Sequence, residues 1–185
     1  MRTLVRITHL EMCSPAELRP ATRVPADLIL LRASIPSPEL GRYLYTSVGG
    51  DWYWRERLPW TYQQWLAWLS RPEVETWVAL ASGTPAGYFE LQAKLDDSVE
   101  LTYFGLLPGF AGRGLGGYLL TQAVERSWRV QPRVQRVTVH TCTLDHAAAL
   151  PNYLARGFKV FKEEEQLVDL PEQPPGPWPG AERPR

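Results

Sequence analysis

The chain has 185 residues and a mass of 21.1 kDa, the size of one domain with room for a real hydrophobic core. Apolar residues make up 44% and charged residues 22%, which excludes disordered, fibrous and disulfide-stapled classes. Twenty Lys and Arg balance twenty Asp and Glu, so no overall basic field exists to hold nucleic acid or anionic lipid, and neither is an expected partner.

No apolar stretch approaches the ~20 residues that a bilayer crossing needs, and the start MRTLVRITHLEM alternates where a signal peptide would carry an apolar block. Cys13 and Cys142 show neither CxxC nor zinc spacing, so they read as free thiols in a reducing compartment. A cytoplasmic protein without a metal site is expected. Six of the eight Trp fall between 52 and 77, a density that often lines a pocket.

In chain order, residues 2 to 12 alternate like a half-buried strand, and 27 to 33 (DLILLRA) suit a second after a Pro-punctuated turn, so an antiparallel start is expected. Ser37-Pro38-Glu39 caps a helix with Leu40, Tyr43, Leu44 and Val48 at helical spacing, and Gly49-Gly50 ends it. Thr61 and Gln64 read as a capping box for a second helix, stopped by Arg71-Pro72. Residues 76 to 80 and 87 to 93 make a hairpin, and 99 to 106 another strand. Leu120, Ala123, Val124 and Trp128 continue a long helix that ends before Pro132, and 134 to 142 is strand-like. Asp145 can cap a helix reaching about Arg156, in which Pro151 should make a kink, and 158 to 170 returns to strand. The last fifteen residues hold six prolines and can be neither helix nor central strand. The expected architecture is α+β: one domain over 1 to 170 with a mainly antiparallel sheet ending in a strand–helix–strand unit, then a Pro-rich tail over 171 to 185.

The segment from Glu100 to Leu120, ELTYFGLLPGFAGRGLGGYLL, carries the chemistry. A strand, a glycine turn and a helix N-terminus together form an anion site, because glycines let backbone N–H groups approach a phosphate along the helix dipole. No Lys-Ser/Thr follows, which excludes a nucleoside-triphosphatase loop, and the position about 20 residues on is Arg136, which argues against a Rossmann turn. A glycine loop that merely packs closely is the plain alternative.

Leu106-Leu107-Pro108 followed by Ala111-Gly112-Arg113-Gly114-Leu115-Gly116 resembles the central signature of the GNAT superfamily of acyl-CoA-dependent N-acyltransferases. Ala111 stands where that family usually has Gln or Arg. Downstream, His146 through Tyr153 to Gly157-Phe158 is similar to the family's N-x-x-A-x-x-x-Y-x-x-x-G-F, with His146 replacing Asn. The resemblance covers about residues 76 to 162. It implies a GNAT-like mixed sheet flanked by helices, with a splayed central strand.

It also implies acetyl-CoA as co-substrate, its diphosphate held by amides of Ala111, Gly112, Arg113, Gly114, Leu115, Gly116 and Gly117, and its arm lying along Phe104 and Leu106. Gly105 suits the bulge that splays the strand. Glu100, four residues before Phe104 and so expected on the same face, is the first candidate for the base. An edge salt bridge is its plain alternative. Glu90 could share that site, and Tyr153 matches the family tyrosine that protonates the leaving thiolate. Trp52 and Trp54, with Tyr103 of the central strand, are candidates for binding the acceptor. His140, Cys142, Asp145 and His146 invite a nucleophile or metal reading, which their closeness in sequence argues against. The expected activity is direct acetyl transfer to a primary amine of a small molecule. The alternatives are a protein N-terminus or lysine as acceptor, or a non-catalytic acyl-CoA-binding domain. A homodimer is a frequent form among proteins of similar fold.

Overall fold

The computed structural model describes residues 1 to 181. Its strands are β1 (Arg2–Met12), β2 (Leu28–Arg32), β3 (Val74–Ala81), β4 (Thr84–Ala93), β5 (Ser98–Leu106), β6 (Arg136–Cys142) and β7 (Lys159–Asp169), and its helices α1 (Pro38–Gly49), α2 (Tyr62–Leu69), α3 (Leu115–Ser127) and α4 (Ala149–Ala155). The helix starts follow the local chemistry. Ser37 Oγ accepts from the Leu40 amide with Pro38 at the first helical position, and Thr61 and Gln64 close a reciprocal capping box.

The seven strands form one sheet in the order β2-β3-β4-β5-β6-β1-β7, antiparallel at every pair except β5–β6. The expected antiparallel start is wrong, because β1 and β2 lie at opposite sides of the sheet. Alternation along β1 specifies a two-faced strand but not its neighbours, and β1 is inserted between β6 and β7, paired on both sides. The connecting residues 13 to 27 do not turn back. They cross the helices, where the Ala21 amide donates to Thr121 Oγ1 of α3 and the Arg19 amide to the Arg156 carbonyl beyond α4.

One face of the sheet packs Phe89, Leu91, Val99, Leu101, Val137 and Val139 against Leu119, Leu120 and Val124 of α3. The other packs Val78 and Tyr88 against Leu44 and Val48 of α1. Trp65 of α2 is 3% exposed and packs against α1, its ring 5.9 Å from that of Tyr45. α4 is shorter than expected. Asp145 does not cap it, because its Oδ2 already accepts from Thr141 Oγ1 at 2.7 Å and the Cys142 amide at 3.0 Å, closing the turn after β6. Pro151 therefore lies in the first turn of α4, where its missing N–H costs no hydrogen bond. Beyond β7 the chain returns to α1, and the Gly176 amide donates to the Gly50 carbonyl at 3.0 Å. Residues 182 to 185 of the expected tail lie outside the described residues. No helix among the described residues is long and apolar enough to cross a membrane.

Candidate active site

β5 and β6 pair only at Ser98–Arg136, Val99–Val137 and Glu100–Thr138, and then diverge. Past Glu100 the β6-side edge of β5 has no strand partner among the described residues. The expected splay is present, but its bulge is not at Gly105. Leu101 stands opposite Leu91 and Tyr103 opposite Glu90, so Thr102 is the extra residue, and its buried Oγ1 has no hydrogen-bond partner among the described residues. Gly105 has another reason: a Cβ there would fall inside the Val48 side chain, so its absence lets α1 approach the strand.

The bulge overturns a second expectation. An inserted residue resets the inside–outside alternation, so Glu100 (opposite Gln92) and Phe104 (opposite Phe89) point to opposite faces. Phe104 joins the α3 side and Glu100 the α1 side. A cavity of about 1150 Å³ occupies the divergence, and its walls come from both faces, so it passes through the sheet.

On the α3 side the wall is the glycine loop. Gly112 and Gly114 have φ of 75° and 77°, which turns the chain into α3. The amides of Gly112, Arg113 and Gly114 have no protein partner among the described residues. Those of Leu115, Gly116 and Gly117 open α3, where no intrahelical acceptor exists. The Ala111 amide departs from the expected set, being donated to the Pro108 carbonyl at 3.2 Å. Sequence reasoning missed the surrounding charge. A Cβ on Gly114 would lie 2.7 Å from Arg23 Nη1 and one on Gly117 2.5 Å from Arg156 Nη1, while Arg113 stacks on Phe110 at 5.1 Å. Among the described residues none of the three arginines forms an ion pair. Arg23 and Arg156 arrive from the crossing segment and the end of α4, so no local pattern announces them.

Leu106 and Phe104 continue this wall toward Tyr153. Tyr153 is 5% exposed, packed between Phe104 at 6.1 Å and Phe158 at 6.0 Å, and its hydroxyl has no hydrogen-bond partner among the described residues. Burial, then the charge of Asp145, pushes its pKa well above the ordinary tyrosine value, so the hydroxyl stays protonated.

At the vertex of the split, Glu100 bridges to Lys94 Nζ at 2.8 Å and lies 3.7 Å from His140 Nδ1. His140 lines the cavity, while Glu100 lies behind it. Glu90 is not part of the cavity wall. It is 2% exposed, clamped by Arg57 at 3.0 and 2.8 Å and by Trp68 Nε1 at 3.0 Å, so the expected sharing with Glu100 is not what the structure places there. Burial works to lower the Arg57 pKa, but hydrogen bonds and charge from Glu90 outweigh it and raise the value. Cys142 also lines the cavity, and burial, then Asp145, raises its pKa and keeps the thiol protonated.

On the α1 side the wall is built by the segment after α1. Tyr53 sits at φ 61°, a left-handed conformation rare outside glycine, between Trp52 and Trp54, both of which line the cavity. Trp54 packs over Gly49, 4.8 Å from the Tyr103 ring, and Trp52 lies 5.2 Å from His146. Tyr103 lines the cavity too, its pKa pushed up to about 12, chiefly by burial. The segment is anchored by Arg57, which lies over Trp60, Trp68 and Tyr103 at 4.7, 4.5 and 4.4 Å. Sequence reasoning also missed Glu56, a carboxylate on this wall.

The acetyltransferase (GNAT) family model matches residues 41–158, and the chain belongs to this family. Solved structures share the fold at low identity. A GCN5-related N-acetyltransferase from Sphaerobacter thermophilus is 18% identical with a TM-score of 0.66, over 91% of this chain and 55% of that one. One from Kribbella flavida is 18% identical with a TM-score of 0.61, over 86% and 56%. An aminoglycoside acetyltransferase from an uncultured soil metagenomic sample, in complex with trehalose, is 14% identical with a TM-score of 0.58, over 80% and 96%. The chain thus spans little more than half the length of the first two. No curated protein matches the chain.

Proposed function

We propose that the chain transfers an acetyl group from acetyl-CoA directly to a primary amine of a small molecule. The observation that carries this is a cavity passing through the split sheet, with unpartnered amides at one end and an aromatic, acidic wall at the other. Amides of 112 to 117, flanked by Arg23, Arg113 and Arg156, take the diphosphate. The open edge of β5 receives the pantetheine arm as an added strand, and an N–H of that edge near Phe104 polarises the thioester carbonyl.

His140 accepts the proton of the acceptor ammonium, with Glu100 behind it stabilising the imidazolium. The neutral nitrogen forms the new C–N bond and the C–S bond breaks. Tyr153 gives its proton to the departing thiolate, the second proton shed by the acylated nitrogen passes through water to the Tyr153 phenolate, and His140 returns the first proton to bulk water. The protonated Cys142 thiol supports direct transfer over an acyl-cysteine intermediate. The aromatic wall supports a small amine over a protein lysine or N-terminus, and two free cysteines support a reducing, cytoplasmic compartment.

The test is release of CoA thiol from acetyl-CoA over a panel of amines, with Gly114→Glu as control. Gly114→Glu places a carboxylate in the anion cradle and is expected to lower acetyl-CoA affinity by ~100-fold or more, by charge repulsion at a desolvated site. Undiminished release in that variant, or equal activity after Glu100→Gln and Tyr153→Phe, overturns the reading.

A further inference from the structure

We propose that Gly176, in the Pro-rich tail, is a positioning residue for the aromatic wall of the cavity: by docking on Gly50 it straps down the segment that carries Trp52 and Trp54. That an amine is what this wall receives rests on the acyltransferase reading. The strap itself is argued from main-chain contacts outside the cavity.

The tail leaves the sheet at a fixed point. Leu170 is 4% exposed, its amide donates to the Met1 carbonyl at 3.0 Å, and its carbonyl accepts from the Met1 ammonium at 2.6 Å. Residues 171 to 175 then run exposed, and the chain is half-buried again at Gly176 and Pro177, where it meets the end of α1. There the Gly176 amide donates to the Gly50 carbonyl at 3.0 Å. Among the described residues this is the one hydrogen bond by which 171 to 181 hold the rest of the domain.

Gly50 is fitted to that contact. Its φ of −59° and ψ of −34° are helical values open to any residue, so backbone conformation does not require glycine there. The reason is space. A Cβ on Gly50 would lie 2.5 Å from the Gly176 carbonyl carbon, 2.7 Å from the Pro177 nitrogen and 2.8 Å from the Gly176 oxygen, all main-chain atoms of the tail. Gly176 is suited in turn, with a φ of 65° and an N–H that Pro174, Pro175 and Pro177 around it lack.

What the strap holds is a strained turn. Gly50 opens the turn Gly50–Trp52, and the next residue is Tyr53 at φ 61°. A residue other than glycine stays in that region only where its surroundings over-determine it. Two ties to the C-terminal stretch flank it: Gly176 holds Gly50 before it, and the Asp169 carbonyl accepts from Arg55 Nη1 at 3.1 Å after it. Arg57 fixes the far end of the segment, and Gly176 the near end. Because the tail is exposed and held by a single hydrogen bond, it can undock without unfolding the domain, and the turn then loosens with it.

The experiment is amide hydrogen exchange, read by NMR on the full chain, for the wild type, Gly50→Ala, Gly176→Pro and the double variant, with thermal unfolding of each. Gly176→Pro removes the N–H and forbids the left-handed φ at an exposed place in the chain, while Gly50→Ala puts a methyl group where the tail must lie. Each single variant is expected to speed exchange of the Trp54 amide, which donates to the Gly49 carbonyl at 3.2 Å, by ~10-fold, the effect of losing about one hydrogen bond. Thermal unfolding is expected to be unchanged. The double variant should match either single one, because a tail already released cannot be displaced again. Unchanged exchange in Gly176→Pro overturns the proposal, as do additive effects in the double variant.

In parallel, thiol release from acetyl-CoA is measured with 2-phenylethylamine, spermidine and kanamycin. The variants are expected to raise the KM ~10-fold for whichever of these the wild type acetylates, with the KM for acetyl-CoA unchanged. An unchanged amine KM overturns the positioning role. Release with none of the three amines sinks the acetyl-transfer reading alone, and the exchange result then decides the strap.

Discussion

Two tyrosines and one threonine show how closely this site depends on single side chains. Thr102, by adding one residue to β5 without adding a partner on β4, sends Glu100 and Phe104 to opposite faces of the sheet. Counting in twos from Phe104 cannot reveal this, because a bulge leaves no reliable mark in the sequence. Tyr103, the next residue, is turned to the α1 side by the same insertion. Tyr153 is different: its place in the second motif already implied a role, and the structure adds a hydroxyl with no protein partner beside Phe104. Removing that hydroxyl leaves the packing intact and, in the proposed mechanism, the thiolate without its acid. Tyr153→Phe is therefore expected to lower kcat for amine acetylation ~100-fold or more, with the KM for acetyl-CoA unchanged, measured by steady-state thiol release. Unchanged kcat would leave packing as its whole role.

At the scale of elements, the aromatic wall of the cavity depends on a segment whose regular structure is a single 3-10 turn, Gly50–Trp52. Residues 50 to 58 carry Trp52, Trp54 and Glu56 into the cavity, and what holds them is the buried Arg57–Glu90 pair inside a ring of Trp and Tyr faces. Desolvating two charges is costly, so the pair adds little net stability over an apolar pair, but breaking it leaves one charge alone. Arg57→Met is expected to cost about 3–5 kcal/mol in urea unfolding and to raise the KM for the amine. Arg57→Met with Glu90→Gln should recover most of the stability, since the amide oxygen introduced by the second change would still accept from Trp68. The Trp cluster did signal a pocket from composition alone. Its division into a wall and an Arg cage was not legible, because both uses place aromatic rings at the same sequence spacing.

Across the whole molecule, β1 and β7 contribute Val5, Ile7 and Val168 to the cavity wall, and ion pairs to β1 and to the crossing segment fasten β7. A hydrogen bond from Lys162 on β7 itself, then one from His9 across on β1, lowers the pKa of Glu164, and Lys159 does the same for Glu17 in the crossing segment. Carboxyls whose folded pKa lies below the unfolded value stabilise the fold fully above the ordinary glutamate range and lose that contribution as pH falls through it. Loosening of β7 is thus expected between about pH 5 and pH 3, seen as faster amide exchange along Lys159–Asp169 before global unfolding, with Glu164→Gln showing less dependence on pH over that interval. These pairs are surface pairs, so high salt should weaken the effect.

What the amino-acid order determined by itself was much of the local structure: most strand and helix starts, though not that of α4, the capping of α1 and α2, and a glycine turn at the start of α3 whose amides are left without protein partners among the described residues. Each depends on residues within a few positions of one another, which is the reach of backbone conformation and capping. The tertiary structure alone decided that β1 lies between β6 and β7, that Arg23 and Arg156 meet at the loop, that Glu90 is locked away, and that Glu56 faces the split. Those choices depend on which surfaces are buried against which when the chain closes on itself. A half-buried strand is compatible with several partners, and a surface charge with several neighbours, until that packing is made.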